Sequence, residues 1–290
     1  MGGIIDKITE FIKEMLQGWV LSNLETMFTD VNDKVGTIAG EVSKTPSTWN
    51  SGIFDMIKTL SDNVMIPIAG MIISFVLVYE LISMVIDKNN LHDFNTAIFI
   101  RFFMKACIAV MLLSKTFDIV MAVFDVGSHI VNSAAAAISG ETSIDVTDTL
   151  QTMFNDQFSE MSIGELLGLG METMIVSLCM KIMSVLITVI LYGRMIEIYL
   201  YVSVAPVPCA TVTNREWGTI GTNYFKGLCA LAFQGFFMMV CVAIYAVLVA
   251  GVAVADNLHT ALWSVAAYTV ILCFSLFKTG SLSKSIWNAH

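Results

Sequence analysis

The apolar positions of this chain gather into long runs rather than short alternations. Runs fall at about residues 63–86, 96–114, 171–193, 228–254 and 260–277. Each is long enough, as a helix, to cross roughly 30 Å of hydrocarbon. A backbone in lipid must satisfy its own hydrogen bonds, so it forms helices or a closed barrel. Continuous runs without a period of two select helices. The expectation is an all-α, polytopic transmembrane protein with about five spans.

Ahead of the first run, residues 1–62 read as an N-terminal region of amphipathic helix and linker, with residues 63–290 as the transmembrane domain. Over residues 3–21, Ile4, Ile8, Phe11, Ile12, Met15, Leu16 and Trp19 share one stripe at helical spacing, opposite Asp6, Lys7, Glu10, Lys13 and Glu14. A helix lying on a membrane surface carries a basic polar face, and this one does not. Packing of the stripe on the rest of the protein is the plain expectation; docking to a partner is the sharper one. The pattern continues through Val31, Val35 and Ile38, and Pro46 opens a polar linker reaching Asp62.

Two stretches resist assignment as simple spans. After residue 114 the chain stays mixed, with Lys115, Asp118 and Asp125 interrupting it, so residues 116–138 read as an amphipathic extension at the interface. The segment 195–212 is apolar, yet it contains Pro206 and Pro208. Each proline removes a backbone donor and crowds the preceding turn. A broken, re-entrant or interfacial segment is expected there, followed by a polar turn over 213–227.

Composition agrees with this pattern: 56% of the residues are hydrophobic and 13% charged, about half the charged share of soluble domains. The net charge of −9 lacks the basic footprint of a nucleic-acid binder. All six cysteines lie in or beside apolar runs without metal spacing and read as small buried hydrophobes. Between residues 116 and 180 there are nine acids and no Lys or Arg. Lys88, the group Arg194, Arg215 and Lys226, and the pair Lys278 and Lys284 fall at the opposite ends of the spans. Basic residues concentrate on the cytoplasmic side. Five spans therefore place the N-terminus outside, the acidic region 116–170 outside, and the C-terminus inside. The first 60 residues hold five lysines and eight acids, a region long enough to weaken that rule.

Charges inside spans are the natural functional candidates. Glu80 lies six residues before the end of the first span and Arg101 five after the start of the second, each roughly 8–9 Å below the interface at 1.5 Å per residue. A Glu80–Arg101 pair is expected, with Lys105 one turn deeper on the same face; the alternative is that both cations snorkel to the headgroups. Lys181 sits near the middle of the third span. It should face a partner, another subunit or water, and an internal ion pair is the plainer alternative to lining a pore. Gly36 with Gly40, and Gly164 with Gly168, match the small-residue helix contact spacing, though outside clear spans. No nucleophile elbow, phosphate loop, zinc spacing or dinucleotide fingerprint is present, so an enzyme is not expected, nor a cofactor.

The block Ala205-Pro206-Val207-Pro208, then Arg215-Glu216-Trp217-Gly218, then the apolar run from Leu228, resembles the TrbL family. That family is the polytopic inner-membrane component of type IV secretion systems, the sixth VirB component. Residues 4–19, 64–68 and 99–105 look like the conjugation version found on integrative elements of Gram-positive bacteria. The resemblance implies a non-enzymatic channel or scaffold subunit for conjugative DNA transfer in the bacterial cell membrane. It implies partners too: copies of itself in a ring such as a pentamer, other channel components, ATPases, membrane lipids and, transiently, the transferred single strand. The Pro206/Pro208 break with Arg215 and Trp217 would then be a cytoplasmic docking turn. An acidic external region cannot hold DNA by ordinary phosphate neutralisation. Two other readings stand beside this one: a small-molecule or ion transporter with a midplane site around Lys181 and Glu80, and a membrane scaffold or lysis-type protein.

Overall fold

The computed structural model describes residues 2–86, 96–138, 158, 161–252 and 258–289, and among them there are helices and turns but no strand. The chain is an all-α, polytopic membrane protein. Helix α1 (Gly2–Ser43) is followed by a short turn of helix, α2 (Pro46–Trp49). Pro46 occupies its first position, where a missing N–H costs nothing, and the Thr45 N–H donates to Thr48 Oγ1 at 3.0 Å. Helix α3 (Ser51–Leu60) starts on Asn50, whose Oδ1 accepts the Ile53 N–H at 3.0 Å. A π turn over Ser61–Met65 leads into α4 (Ile66–Ile86). Pro67 has no N–H to give and its ring crowds the preceding turn, so the widened turn absorbs the mismatch without ending the helix. Residues 51–62, expected as a polar linker, thus form one 36-residue helix with the first span.

Helices α5 (Thr96–Ser114) and α6 (Thr116–Ile138) meet at Lys115. Bonds from Lys115 N to Met111 O (3.1 Å) and from Ile119 N to Lys115 O (3.0 Å) carry the ladder across. Helix α7 (Ile163–Ser203) begins with a reciprocal cap. Glu165 Oε2 accepts the Ser162 N–H at 2.7 Å, and Ser162 Oγ accepts the Glu165 N–H at 3.4 Å. Helix α8 (Pro206–Cys209) is a single turn, followed by α9 (Gly218–Val252) and α10 (Leu258–Ile286).

Five helical stretches among the described residues are long and apolar enough to cross a membrane: Ser51–Ile86, Thr116–Ile138, Ile163–Ser203, Gly218–Val252 and Leu258–Ile286. The number matches the expectation, but the second member differs. Thr116–Ile138, expected as an interfacial extension, is itself of span length. Asp118 and Asp125 are exposed, whereas Val120 and Phe124 are buried on protein. Its charges therefore interrupt the sequence run without interrupting the packed face. The proline break is also narrower than 195–212. Helix α7 continues to Ser203, and α9 begins at Gly218, inside the expected turn.

The chain divides into two compact units. The first comprises Met1–Val42, Val131–Leu191 and Phe237–Lys278. Its core joins Leu24, Met27 and Ile38 of α1 to Leu166, Leu169 and Ile187 of α7, with Met238 and Leu262 from α9 and α10. A Cβ on Gly170 would run into the Trp19 ring, so this glycine lets α1 and α7 approach. Asn23 Nδ2 donates to Thr173 Oγ1 at 3.3 Å just beyond, and Glu172 pairs with His259. The buried Tyr245 and Thr269 hydroxyls satisfy one another at 2.9 Å.

The second unit comprises Ser43–Ile130, Tyr192–Phe236 and Thr279–His290. One core packs Ile57, Phe124, Met195, Ile198, Leu228 and Leu231. A second, smaller one gathers Ala69, Ile73, Ala109, Leu113 and Ala210. Gly127 of α6 lies so close to α9 that a Cβ would stand 3.0 Å from both the Cβ and the carbonyl oxygen of Ala232. The Tyr199 hydroxyl donates to Pro46 O at 2.6 Å, tying α7 to α2.

Candidate functional site

The site lies in the second unit, where α4, α5 and the turn after α8 converge. Pro206 and Pro208 are buried, and both stop the chain from continuing α7 as a regular helix. Ala210, fully buried, instead packs among Ala69 and Ile73 of α4 and Ala109 and Leu113 of α5. These small side chains allow the broken segment to lie close against the two helices. The turn that follows then reaches Glu80.

Glu80 is 8% exposed, and both of its oxygens are engaged. Lys105 Nζ of α5 lies 2.5 Å from Oε1, and Asn214 Nδ2 of the turn donates to Oε2 at 3.2 Å. Asn214 is itself buried, and its Oδ1 accepts the N–H groups of Glu216 and Trp217, each at 2.8 Å. It therefore holds backbone donors next to the start of α9 and the carboxylate with one side chain. Trp217 stacks on Phe75 (centroids 5.5 Å, 18°) and on Tyr79 (5.9 Å, 9°), both on α4. The Tyr79 hydroxyl donates to Glu216 Oε2 at 2.7 Å. Charge, amide and aromatic contacts thus fasten the turn to α4 from both sides.

Of the residues singled out in the sequence, Glu80, Lys105, Pro206, Pro208 and Trp217 come together here. The partner of Glu80 is Lys105 rather than the expected Arg101. Arg101 is exposed and has no ion pair among the described residues. Equal depth favoured Arg101, but the contact falls one turn further along the same face of α5, at Lys105, with Ala109 of the small core one turn beyond it. Arg215 is exposed at the tip of the turn. Lys181 belongs to the first unit, exposed on α7 among Leu178, Ile182 and Val185.

Sequence reasoning missed Asn214. An Asn shortly before an apolar helical run is a recognisable helix-start signal, and it was available. It also treated Arg194 as one of a cytoplasmic cluster of charges. Because α7 continues past it, Arg194 is buried at 7% exposure. Its Nε has no hydrogen-bond partner, and the charge of Glu197 one turn along provides compensation. Glu197 in turn pairs with Lys284 at 2.7 Å. The broken segment's Cys209 behaves as the small hydrophobe expected: burial pushes its thiol up to about 11, leaving it protonated at neutral pH. Among the described residues no three His, Cys, Asp or Glu side chains gather in a way that would hold a metal ion.

The arrangement takes up both Glu80 oxygens in holding the turn. What it does is fix a backbone break against two apolar helices. The chain is by these features a multi-pass membrane protein with a latched, proline-broken turn. Residues 31–206, more than half of its length, match the family described as TrbL/VirB6 plasmid conjugal transfer like protein, and the chain belongs to that family. The family places it among components of conjugal transfer by type IV secretion. Neither a curated protein nor a solved structure matches the chain.

Proposed function

We propose that this chain is a non-enzymatic channel or scaffold subunit of the membrane apparatus that carries out conjugative DNA transfer. The observation that carries the reading is the family match over residues 31–206 on a chain with five apolar helices of spanning length. In this reading the protein sits in the bacterial cell membrane with its N-terminus outside and its C-terminus in the cytoplasm, as the distribution of Lys and Arg favours. Copies of the chain surround a common axis, and ATPases elsewhere in the machinery supply the energy. The turn from Asn214 to Trp217 is then a rigid cytoplasmic docking point, and the exposed Arg215 and the partly exposed Trp217 are its contact groups.

The test is a mating assay with the gene deleted and then restored. Loss of DNA transfer on deletion, with recovery on complementation, is the expected outcome. Transfer at the wild-type frequency without the gene refutes the reading. Stoichiometric binding of a small solute by the purified monomer would replace it with a transporter.

A further inference from the structure

Helix α1 has two unlike faces over its second half. Val20, Leu24, Met27, Val35, Ile38 and Val42 are buried in the core of the first unit. On the other side Ser22, Glu25, Thr26, Thr29, Asp33 and Thr37 are exposed. Among the described side chains from residue 20 to residue 52, no large hydrophobic is exposed. At its described positions the outward face is therefore hydrophilic.

The level at which this face stands follows from the packing of α1 on α7. Trp19 lies against Gly170, and Asn23 is bonded to Thr173. Both helices advance in the same direction between these two contacts, so they run parallel. Burial of one continuous α1 stripe against the core that contains Val176, Met180, Ile187 and Leu191 keeps them side by side. With equal rise per residue, Thr26 is level with Val176 and Thr37 with Ile187. Over that stretch the outward face of α7 is apolar: Met174, Leu178, Ile182, Val185 and Val189 are each at least half exposed, with Lys181 the interruption. Such a face belongs in lipid. Carboxylates and hydroxyls at the same level do not, because a charged side chain facing hydrocarbon is among the costliest placements a membrane protein can make.

We propose that the outward face of α1 from Ser22 to Thr37 borders water at membrane depth and lines an aqueous passage. This rests on the channel reading and deepens it by assigning a wall. The lining is acidic on balance: Glu25 and Asp33 are exposed, and Asp30 and Lys34 are half-buried, three acids against one base. Its net negative charge attracts cations and gives a phosphate chain little to adhere to, so a polyanion would pass without being held tightly. Gly36 and Gly40 have open space where a Cβ would stand, which keeps the wall smooth toward the end of the helix.

The experiment uses the full chain in lipid vesicles, with nitroxide labels on single introduced cysteines and the unsubstituted protein as the label background. Thr26→Cys and Thr37→Cys report on α1; Met174→Cys and Val185→Cys report on α7 at matching levels. Collision with dissolved oxygen is compared with collision with a water-soluble nickel chelate. The α7 labels should favour oxygen, and the α1 labels should favour the chelate by several-fold. Low access to both reagents at α1 would mean that another protein surface covers the face, and oxygen preference there would mean lipid; either result overturns the proposal. Chelate preference on α7 as well would put the whole level outside the bilayer and overturn it too. Ser22→Cys and Thr29→Cys repeat the measurement should either first variant fail to elute as the native protein does. The channel reading fails separately, through unchanged DNA transfer on deletion, whatever the labels report.

Discussion

Replacing Glu80 by alanine removes the acceptor of two contacts at once. The first is with Lys105 Nζ at 2.5 Å and the second with Asn214 Nδ2 at 3.2 Å. Hydrogen bonds to charged groups contribute about 1.5–3 kcal/mol each. The Lys105 side chain is 42% exposed, and solvent reduces its pair toward about 1 kcal/mol. The Asn214 bond is buried and keeps more of its worth. Together these give a loss of about 2–4 kcal/mol in the hold on the turn. Every 1.4 kcal/mol is tenfold, so the population of the released turn should rise by roughly 30- to 800-fold. The amides of Glu216 and Trp217, held by Asn214 Oδ1, are the reporters. Their hydrogen-exchange protection in detergent or nanodiscs should fall by that factor. Glu80→Gln keeps an acceptor but loses the charge, and its effect should be intermediate. Arg101→Ala should leave both amides unchanged. Unaltered protection in Glu80→Ala, or a larger effect from Arg101→Ala, would refute the latch.

Trp217→Ala removes two stacked contacts of about 0.5–1.5 kcal/mol each; it should loosen the same amides and lower the yield of other channel components in co-purification, and unchanged co-purification would exclude a docking role. Lys181→Ala should reduce DNA transfer more than Asp145→Ala, because a lysine on an apolar face of α7 is there for a partner; equal transfer frequencies would remove that reasoning. Gly127→Leu should destabilise the second unit by about 1–3 kcal/mol, since Ala232 offers its backbone rather than a movable side chain. A thermal melt in detergent reads that cost.

The apolar runs made the helical membrane class legible because span length and backbone satisfaction leave few alternatives. Pro206 and Pro208 were legible as a break for the same kind of reason, a missing donor and a crowded ring. Residues 116–138 read as an interfacial extension because Asp118 and Asp125 lower the run's hydrophobicity; a linear pattern does not reveal that they form one helix of span length whose Phe124 packs on protein. Along the N-terminal stripe Leu16, Val35 and Ile38 are buried as expected, whereas Ile4, Ile8, Phe11 and Met15 are exposed and the side chain of Val31 lies outside the described ones. Glu80 stood out as a charge in an apolar run, yet its partner lies one turn further along α5 than equal depth places it, an axial offset that no run of apolar residues records. Asn214 carried a helix-start signal whose second role, reaching back 134 residues to Glu80, no local pattern contains.

The π turn over Ser61–Met65 has a further bearing on that latch. A π turn holds one residue more than an α turn, and each residue of a helix advances it by about 100°. The azimuth of everything from Ile66 onward is therefore set by that single extra residue. Deleting one residue between Ser61 and Met65 would restore a regular ladder and rotate α4 by about 100°, leaving its composition intact. Glu80 would swing off Lys105, and Phe75 and Tyr79 off Trp217. The alignment of charge and aromatic rings with the turn is phased by a length of backbone some four turns away, one that touches none of them.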